Sequence, residues 1–181
     1  LWSGREADRA KGPGGCSRWC DTDFVGTDGD GGGRFTDANA LADAVAARWV
    51  GDNARRFVVC TGGEPLLQLD AALVDALHAR GFEVAVETNG TLRPPPGVDW
   101  VCVSPKAGGA LALDAADELK LVFPQPGAEP ERFEGFAAKH RFLQPMDGPN
   151  RAEHACRAVA WCLAHPTWRL SLQTHKLLGI P

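Results

Sequence analysis

The chain has 181 residues, 44% of them hydrophobic and 23% charged, with a formal net charge of -4. That composition is of an ordinary globular protein. The lack of a sustained Lys/Arg stripe excludes a duplex nucleic-acid surface, and no apolar run approaches the roughly 20 residues that span a bilayer. The opening "LWSGREADRAKG" has no basic segment followed by an apolar one, so it is not a secretory leader. The chain starts at Leu1 rather than Met, and a segment ahead of it is expected.

The first distinctive stretch is "GGCSRWCDTDFVGTDG", where Cys16 and Cys20 stand among acidic residues, threonine and glycines. A disulfide, a zinc site and an iron–sulfur site are all open. A structural zinc site usually takes four Cys or His ligands, and a four-iron cluster with one open iron takes three. The pair alone does not distinguish these. The other cysteines, Cys60, Cys102, Cys156 and Cys162, lie in apolar runs or a helical pattern and are expected as small core hydrophobes. Close Cys pairs in a reduced, cytosolic setting are more often ligands than bridges, and that setting is expected here.

"TDANALADAVAARW" follows, a predicted helix capped by Thr36 or Asp37 with Leu41, Val45 and Trp49 on one face. "RRFVVCTGG" predicts a buried parallel strand stopped by two glycines. "LQLDAALVDALHARG" predicts a helix with Leu69, Leu73 and Leu77 inward and Gly81 as its stop. "FEVAVETNG", "DWVCVSPK" and "ELKLVFP" predict three strands, the last ended by Pro124, and "RPPPG" a rigid loop. "ERFEGFAAKH" reads as a short helix and "RFLQPMD" as a strand. "NRAEHACRAVAWCLAHP" reads as a helix with Ala155, Val159 and Leu163 on its inner side, and "TWRLSLQTHK" as the last strand. Strands with crossover helices mean a parallel sheet in a single α/β domain, residues 1–181.

Polar residues recur where these strands end: "TGGEP", "ETNG", "SPK", "QPMD" and "QTHK". Ligands of parallel sheets and barrels bind at that edge. Gly62 and Gly63 let a ligand approach the backbone, and Glu64 can accept from an ammonium group. Glu87 can take two hydroxyls of a ribose; a simple turn centred on Asn89-Gly90 is equally open. Ser104, Lys106 and Gln144 add polar groups on the same edge, and His175 follows the last strand, near the Pro181 carboxylate in sequence.

Taken in order, "LWSGREADRA", "WCDTDF", "FVVCTGGEPLLQLD", "ETNG", "VSPKA", "ELKLV", "QPMDGP" and "QTHKLLGIP" resemble the 7-carboxy-7-deazaguanine synthases over nearly the whole chain. These are radical S-adenosylmethionine enzymes, carbon–nitrogen lyases of 7-deazapurine (queuosine) biosynthesis. The resemblance implies a partial, modified radical-SAM (β/α) barrel holding a [4Fe–4S] cluster, S-adenosylmethionine and Mg²⁺. It implies that 6-carboxy-5,6,7,8-tetrahydropterin becomes 7-carboxy-7-deazaguanine with loss of ammonia, the cofactor cleaving reductively to a 5′-deoxyadenosyl radical.

By the same resemblance, Cys16 and Cys20 are cluster ligands, and Thr22 is the Mg²⁺ ligand with Asp21 in support. Gly62, Gly63 and Glu64 hold the methionine part of S-adenosylmethionine, and Glu87, Ser104, Lys106 and Gln144 line the rest of its site. Thr61, His175 and the Pro181 carboxylate face the pterin. No side chain is expected as a general acid or base, because the hard step belongs to the cofactor. The family's first cluster cysteine and opening strand are expected ahead of Leu1. "CSRWC" has three residues between its cysteines where the family usually has two, after a flexible "GPGG". A homodimer, an electron donor such as flavodoxin and a cytoplasmic location are implied as well. Competing readings are an activating-type radical S-adenosylmethionine enzyme, which should lack "QPMDGP" and the "QTHK" tail, and a binding module that kept the fold and lost the cluster.

Overall fold

The computed structural model of the chain describes residues 32–51 and 55–179. Helix α1 (Ala38–Ala47) starts where Asp37 Oδ1 accepts from the Ala40 amide at 2.9 Å, so of the two expected caps Asp37 is the one used. Its spacing turns Ala38, Ala42 and Val45 inward, and Trp49, just past the helix end, meets Phe82 edge-on at 5.9 Å. Helix α2 (Ala71–His78) begins later than the apolar pattern suggests. The Asp70 side chain caps it by accepting from the Leu73 amide, and Pro65–Leu67 form a separate 3₁₀ turn ahead of it.

The six strands β1 (Arg56–Cys60), β2 (Phe82–Thr88), β3 (Trp100–Val103), β4 (Ala115–Phe123), β5 (Ala137–Pro145) and β6 (Trp168–Leu170) form one sheet in sequence order. Every neighbouring pair is parallel. Among the described residues β1 and β6 are the two edges, so the sheet is open and not closed by hydrogen bonds. Helix α2 joins β1 to β2, and α3 (Arg151–Ala164) joins β5 to β6. The remaining connections carry no α-helix.

One sheet face carries the core. Val84 and Val86 pack with Val74 and Leu77 of α2 and Ala42 of α1. Further along, Leu119, Leu121 and Leu143 pack with Ala158 of α3 and with Trp168. Each such leucine contributes about 1.5–3 kcal/mol by leaving water. The other face differs because the strands alternate: in "DELKLVF" the leucines face the helices, while Glu118 and Lys120 point to the opposite side. Charge on that second face is therefore written into the period of the strand.

Several expectations are corrected. "ERFEGFAAKH" is not a helix: Pro130–Phe133 make a 3₁₀ turn and β5 begins at Ala137. The Phe133 and Phe136 spacing suits a helix, but Gly135 interrupts it and Ala137 pairs with Ala115 of β4. Pairing with a neighbouring strand overrides local propensity here. On α3 the inward side is Ala158 with Trp161 and Cys162, one position off the expected face, leaving Val159 at 41% and Leu163 at 79% exposure. The indole of Trp161 is the larger apolar surface, and it sets the rotation. Cys156 is accordingly exposed, not a core residue, whereas Cys102 is buried as expected. The last strand stops at Leu170, and "THKLL" forms a short helix, α4 (Thr174–Leu178).

Gly90, after β2, has φ +80, and a Cβ there would lie 2.8 Å from side-chain atoms of both Leu111 and Val103. Gly90→Ala should therefore lower stability by about 1–3 kcal/mol, since it combines a left-handed backbone with overpacking. A fall in the denaturant midpoint at unchanged slope checks this.

Candidate active site

All the strands point the same way, so their carboxyl ends meet along one edge, and there a cavity of about 400 Å³ opens. It is lined from the ends of all six strands and from α4, by Thr61, Gly62, Gly63, Glu87, Ser104, Lys106, Gln144 and His175 among others. These are all the sequence-predicted site residues within the described region except Glu64. Cys16, Cys20, Asp21, Thr22 and Pro181 lie outside the described residues. Among the described residues no group of three or more His, Cys, Asp or Glu is placed to hold a metal ion.

After β1 the chain turns through Gly62 and Gly63, with φ of 77 and 42. Neither angle suits a side chain, and glycine leaves the backbone open to the cavity. Glu64 turns away from it. One oxygen, Oε1, accepts from the Thr88 hydroxyl at 2.7 Å and the Leu66 amide at 3.1 Å; Oε2 accepts from the Asn89 amide at 2.9 Å. The carboxylate thus ties the end of β1 to the end of β2 and holds the glycine turn in place. Thr88 in turn accepts from the Gly90 amide, and the Ser104 amide donates to the Thr88 carbonyl, carrying the link on to β3.

On the sheet face toward the cavity, Glu87 of β2 pairs with Lys120 of β4, across Cys102 of β3. Burial alone would pull the Lys120 ammonium down, but Glu87, and more weakly Cys102 and Glu118, hold it above the ordinary lysine range. Burial pushes the Cys102 thiol up to about 12. At the β3 end, Lys106 Nζ donates to the Ser104 hydroxyl at 2.8 Å and to its carbonyl at 3.0 Å. At the β5 end, the Met146 amide donates to the Phe123 carbonyl, and His154 Nδ1 donates to the Met146 carbonyl at 2.9 Å. Beyond them Asp147 pairs with Lys176 of α4, the neighbour of His175. The Lys176 hydrogen bond is the main cause holding the Asp147 carboxyl below the usual carboxylate range.

Sequence reasoning missed Lys120, Asp147, Thr88 and Asn89 as cavity residues. Lys120 had a readable signal, a cation between two leucines of a strand. Asp147 stood inside the quoted "QPMD". The pairings that give both residues their meaning cross between strands and were not readable. The cavity offers carboxylates, ammonium groups, an imidazole and open backbone, which suits a small zwitterionic ligand bearing hydroxyls. The Cys102 thiol is not a nucleophile at neutral pH.

No family model matches the chain. Over 181 residues it is 64% identical to a 7-carboxy-7-deazaguanine synthase of Bordetella pertussis, covering 100% of this chain and 85% of that protein. It is 62% identical to the protein of the same name from Bradyrhizobium diazoefficiens, covering 99% of this chain and 84% of the relative. The fold matches the crystal structure of QueE from Escherichia coli with a TM-score of 0.60 and 26% identity, over 86% of this chain and 79% of that one.

The Asp147–Lys176 pair fastens α4, which carries His175, to the cavity. Asp147 is ionised more readily folded than unfolded, so its contribution is present above the unfolded carboxylate pKa and is lost as pH falls through the lowered folded one. Asp147→Asn at neutral pH should release α4, read as faster hydrogen exchange at residues 174–178. Global stability should fall by less than about 1 kcal/mol, since the pair is partly solvated.

Proposed function

The chain belongs to the 7-carboxy-7-deazaguanine synthase family, and from that premise we propose how its residues serve the reaction. It is a radical S-adenosylmethionine lyase of queuosine precursor biosynthesis. Its substrate is read as 6-carboxy-5,6,7,8-tetrahydropterin, contracted to 7-carboxy-7-deazaguanine with release of ammonia. The observation that carries the site assignment is one cavity into which all six strand ends deliver polar residues.

The residues present fit S-adenosylmethionine. The Gly62–Gly63 turn leaves backbone groups open where an amino acid moiety would lie. Glu87, 32% exposed, keeps oxygen lone pairs available for the two hydroxyls of a ribose. Ser104, Lys106 and Gln144 line the remaining wall. Glu64 orients the turn through three hydrogen bonds rather than facing the cavity. Cys16 and Cys20 offer thiolates, the donors that iron–sulfur clusters take, and Thr22 with Asp21 offers the oxygen donors that Mg²⁺ takes. When bound, the cluster and S-adenosylmethionine supply a hydrogen-abstracting radical, chemistry that no side chain here provides. What the chain does is bind, orient and exclude water. Thr61 and His175 flank the cavity where the pterin would meet the cofactor, and the Pro181 carboxylate is assigned to the same substrate.

Residues 1–181 read as one radical-SAM-like domain, acting as a homodimer in the cytoplasm with a flavodoxin-type electron donor. No helix among the described residues is long and apolar enough to cross a membrane. "QPMDGP" and the "QTHK" tail favour this reading over an activating-type enzyme.

Anaerobic reconstitution with iron and sulfide, on a chain extended upstream to its start, tests the proposal. With S-adenosylmethionine, a reductant and the pterin, 7-carboxy-7-deazaguanine should appear with one ammonia per turnover. Cofactor cleavage without that product would point to the activating-type reading, and failure to take up iron to the binding module. His175→Ala should raise KM for the pterin roughly tenfold and leave binding of S-adenosylmethionine unchanged, because it removes one polar contact to the substrate. Initial-rate kinetics against each ligand separate the two.

A further inference from the structure

Glu87 and Lys120 lie two strands apart on the cavity face, with β3 between them: Cys102 is in register with Glu87 and with Glu118, and Lys120 reaches Glu87 from two residues further along β4. The Lys120 side chain is only 19% exposed, and Glu87 is 32% exposed. An ammonium this sheltered needs a partner, and a sheltered carboxylate needs one equally. Their pairing settles both groups, and it settles them at one place. Both members of the pair lie within strands of the sheet, and both line the cavity. Glu118, next to Lys120 on the same face, is turned aside: its Oε1 accepts from the Trp100 indole at 2.6 Å. Lys120 is thereby left directed at Glu87.

We propose that Lys120 is a positioning residue for the cofactor: its ammonium fixes the orientation of the Glu87 carboxylate so that the remaining lone pairs accept the two ribose hydroxyls. This rests on the reading of Glu87 as the diol acceptor. Geometry explains why such a residue is needed. A glutamate has three side-chain torsions, and a bidentate acceptor works only when both oxygens are held in the plane of the diol. One oxygen of Glu87, Oε1, is taken by Lys120, which leaves the plane of the carboxylate set before the ligand arrives. Lys120 acts through Glu87 and not on the hydroxyls.

The test is equilibrium binding to the full-length, cluster-bearing protein under anaerobic, non-reducing conditions. The probes are S-adenosylmethionine and its 2′,3′-dideoxy analogue. Wild type should prefer the diol by roughly a hundred-fold, the scale of two hydrogen bonds to a charged acceptor. Lys120→Met should cut that preference to about tenfold or less while changing affinity for the dideoxy analogue less than about twofold. Lys120→Arg should restore most of it. If Lys120→Met weakens both ligands alike and the preference survives, the assignment of Lys120 is overturned and the residue is structural. If wild type itself does not discriminate, the diol reading of Glu87 falls and the role of Lys120 falls with it. Should Lys120→Met not fold, Lys120→Met/Glu87→Gln, which leaves no charge unpaired, carries the measurement. Its preference must equal that of Glu87→Gln alone, and any further loss overturns the assignment.

Discussion

Six strands all running one way is the constraint from which the rest of this molecule follows. Parallel pairing forces each strand to end at the same edge, and it forces each connection to return the full length of the sheet. The functional groups therefore gather without any one segment having to bring them together. Within that edge the detailed order comes from a few side chains that cross between strand ends. Glu64 joins β1 to β2, the Thr88 carbonyl passes the link to β3, and Met146 fastens the end of β5 to β4 and α3. A cavity built this way is as rigid as the ladder beneath it.

The two sheet faces divide the labour through strand alternation. Leu119 and Leu121 are wholly buried against the helices, and Lys120 between them faces the cavity. Placing an ion pair on a sheltered floor costs desolvation of both members, and such pairs add little to stability compared with an apolar replacement. Their presence at the floor of a binding cavity, where an apolar residue would fold as well, is better accounted for by what they do to a ligand.

Much of the cavity lining was legible in the sequence because residues at strand ends are local in the chain. "TGGEP", "ETNG", "SPK" and "QPMD" each name their own position once the strand before them is recognised. What was not legible depends on contacts between distant segments. The short run after Pro130 has helical spacing, yet its pairing with Ala115 makes it a strand. The inner side of α3 is decided by Trp161 fitting against Phe123 and the sheet, so a count of Ala155, Val159 and Leu163 chose the wrong stripe. Glu64 follows residues that line the cavity, but its hydrogen bonds go to Thr88, Leu66 and Asn89. The same local cue marks both a residue that lines the cavity and one that braces it; only the three-dimensional neighbours tell them apart.

Cys102 lies beneath the ion pair, with a thiol that burial pushes up to about 12. That shift disfavours the thiolate, the form that binds metals and reacts with peroxide. A sulfur atom close to the cavity floor is thus kept in its less reactive form.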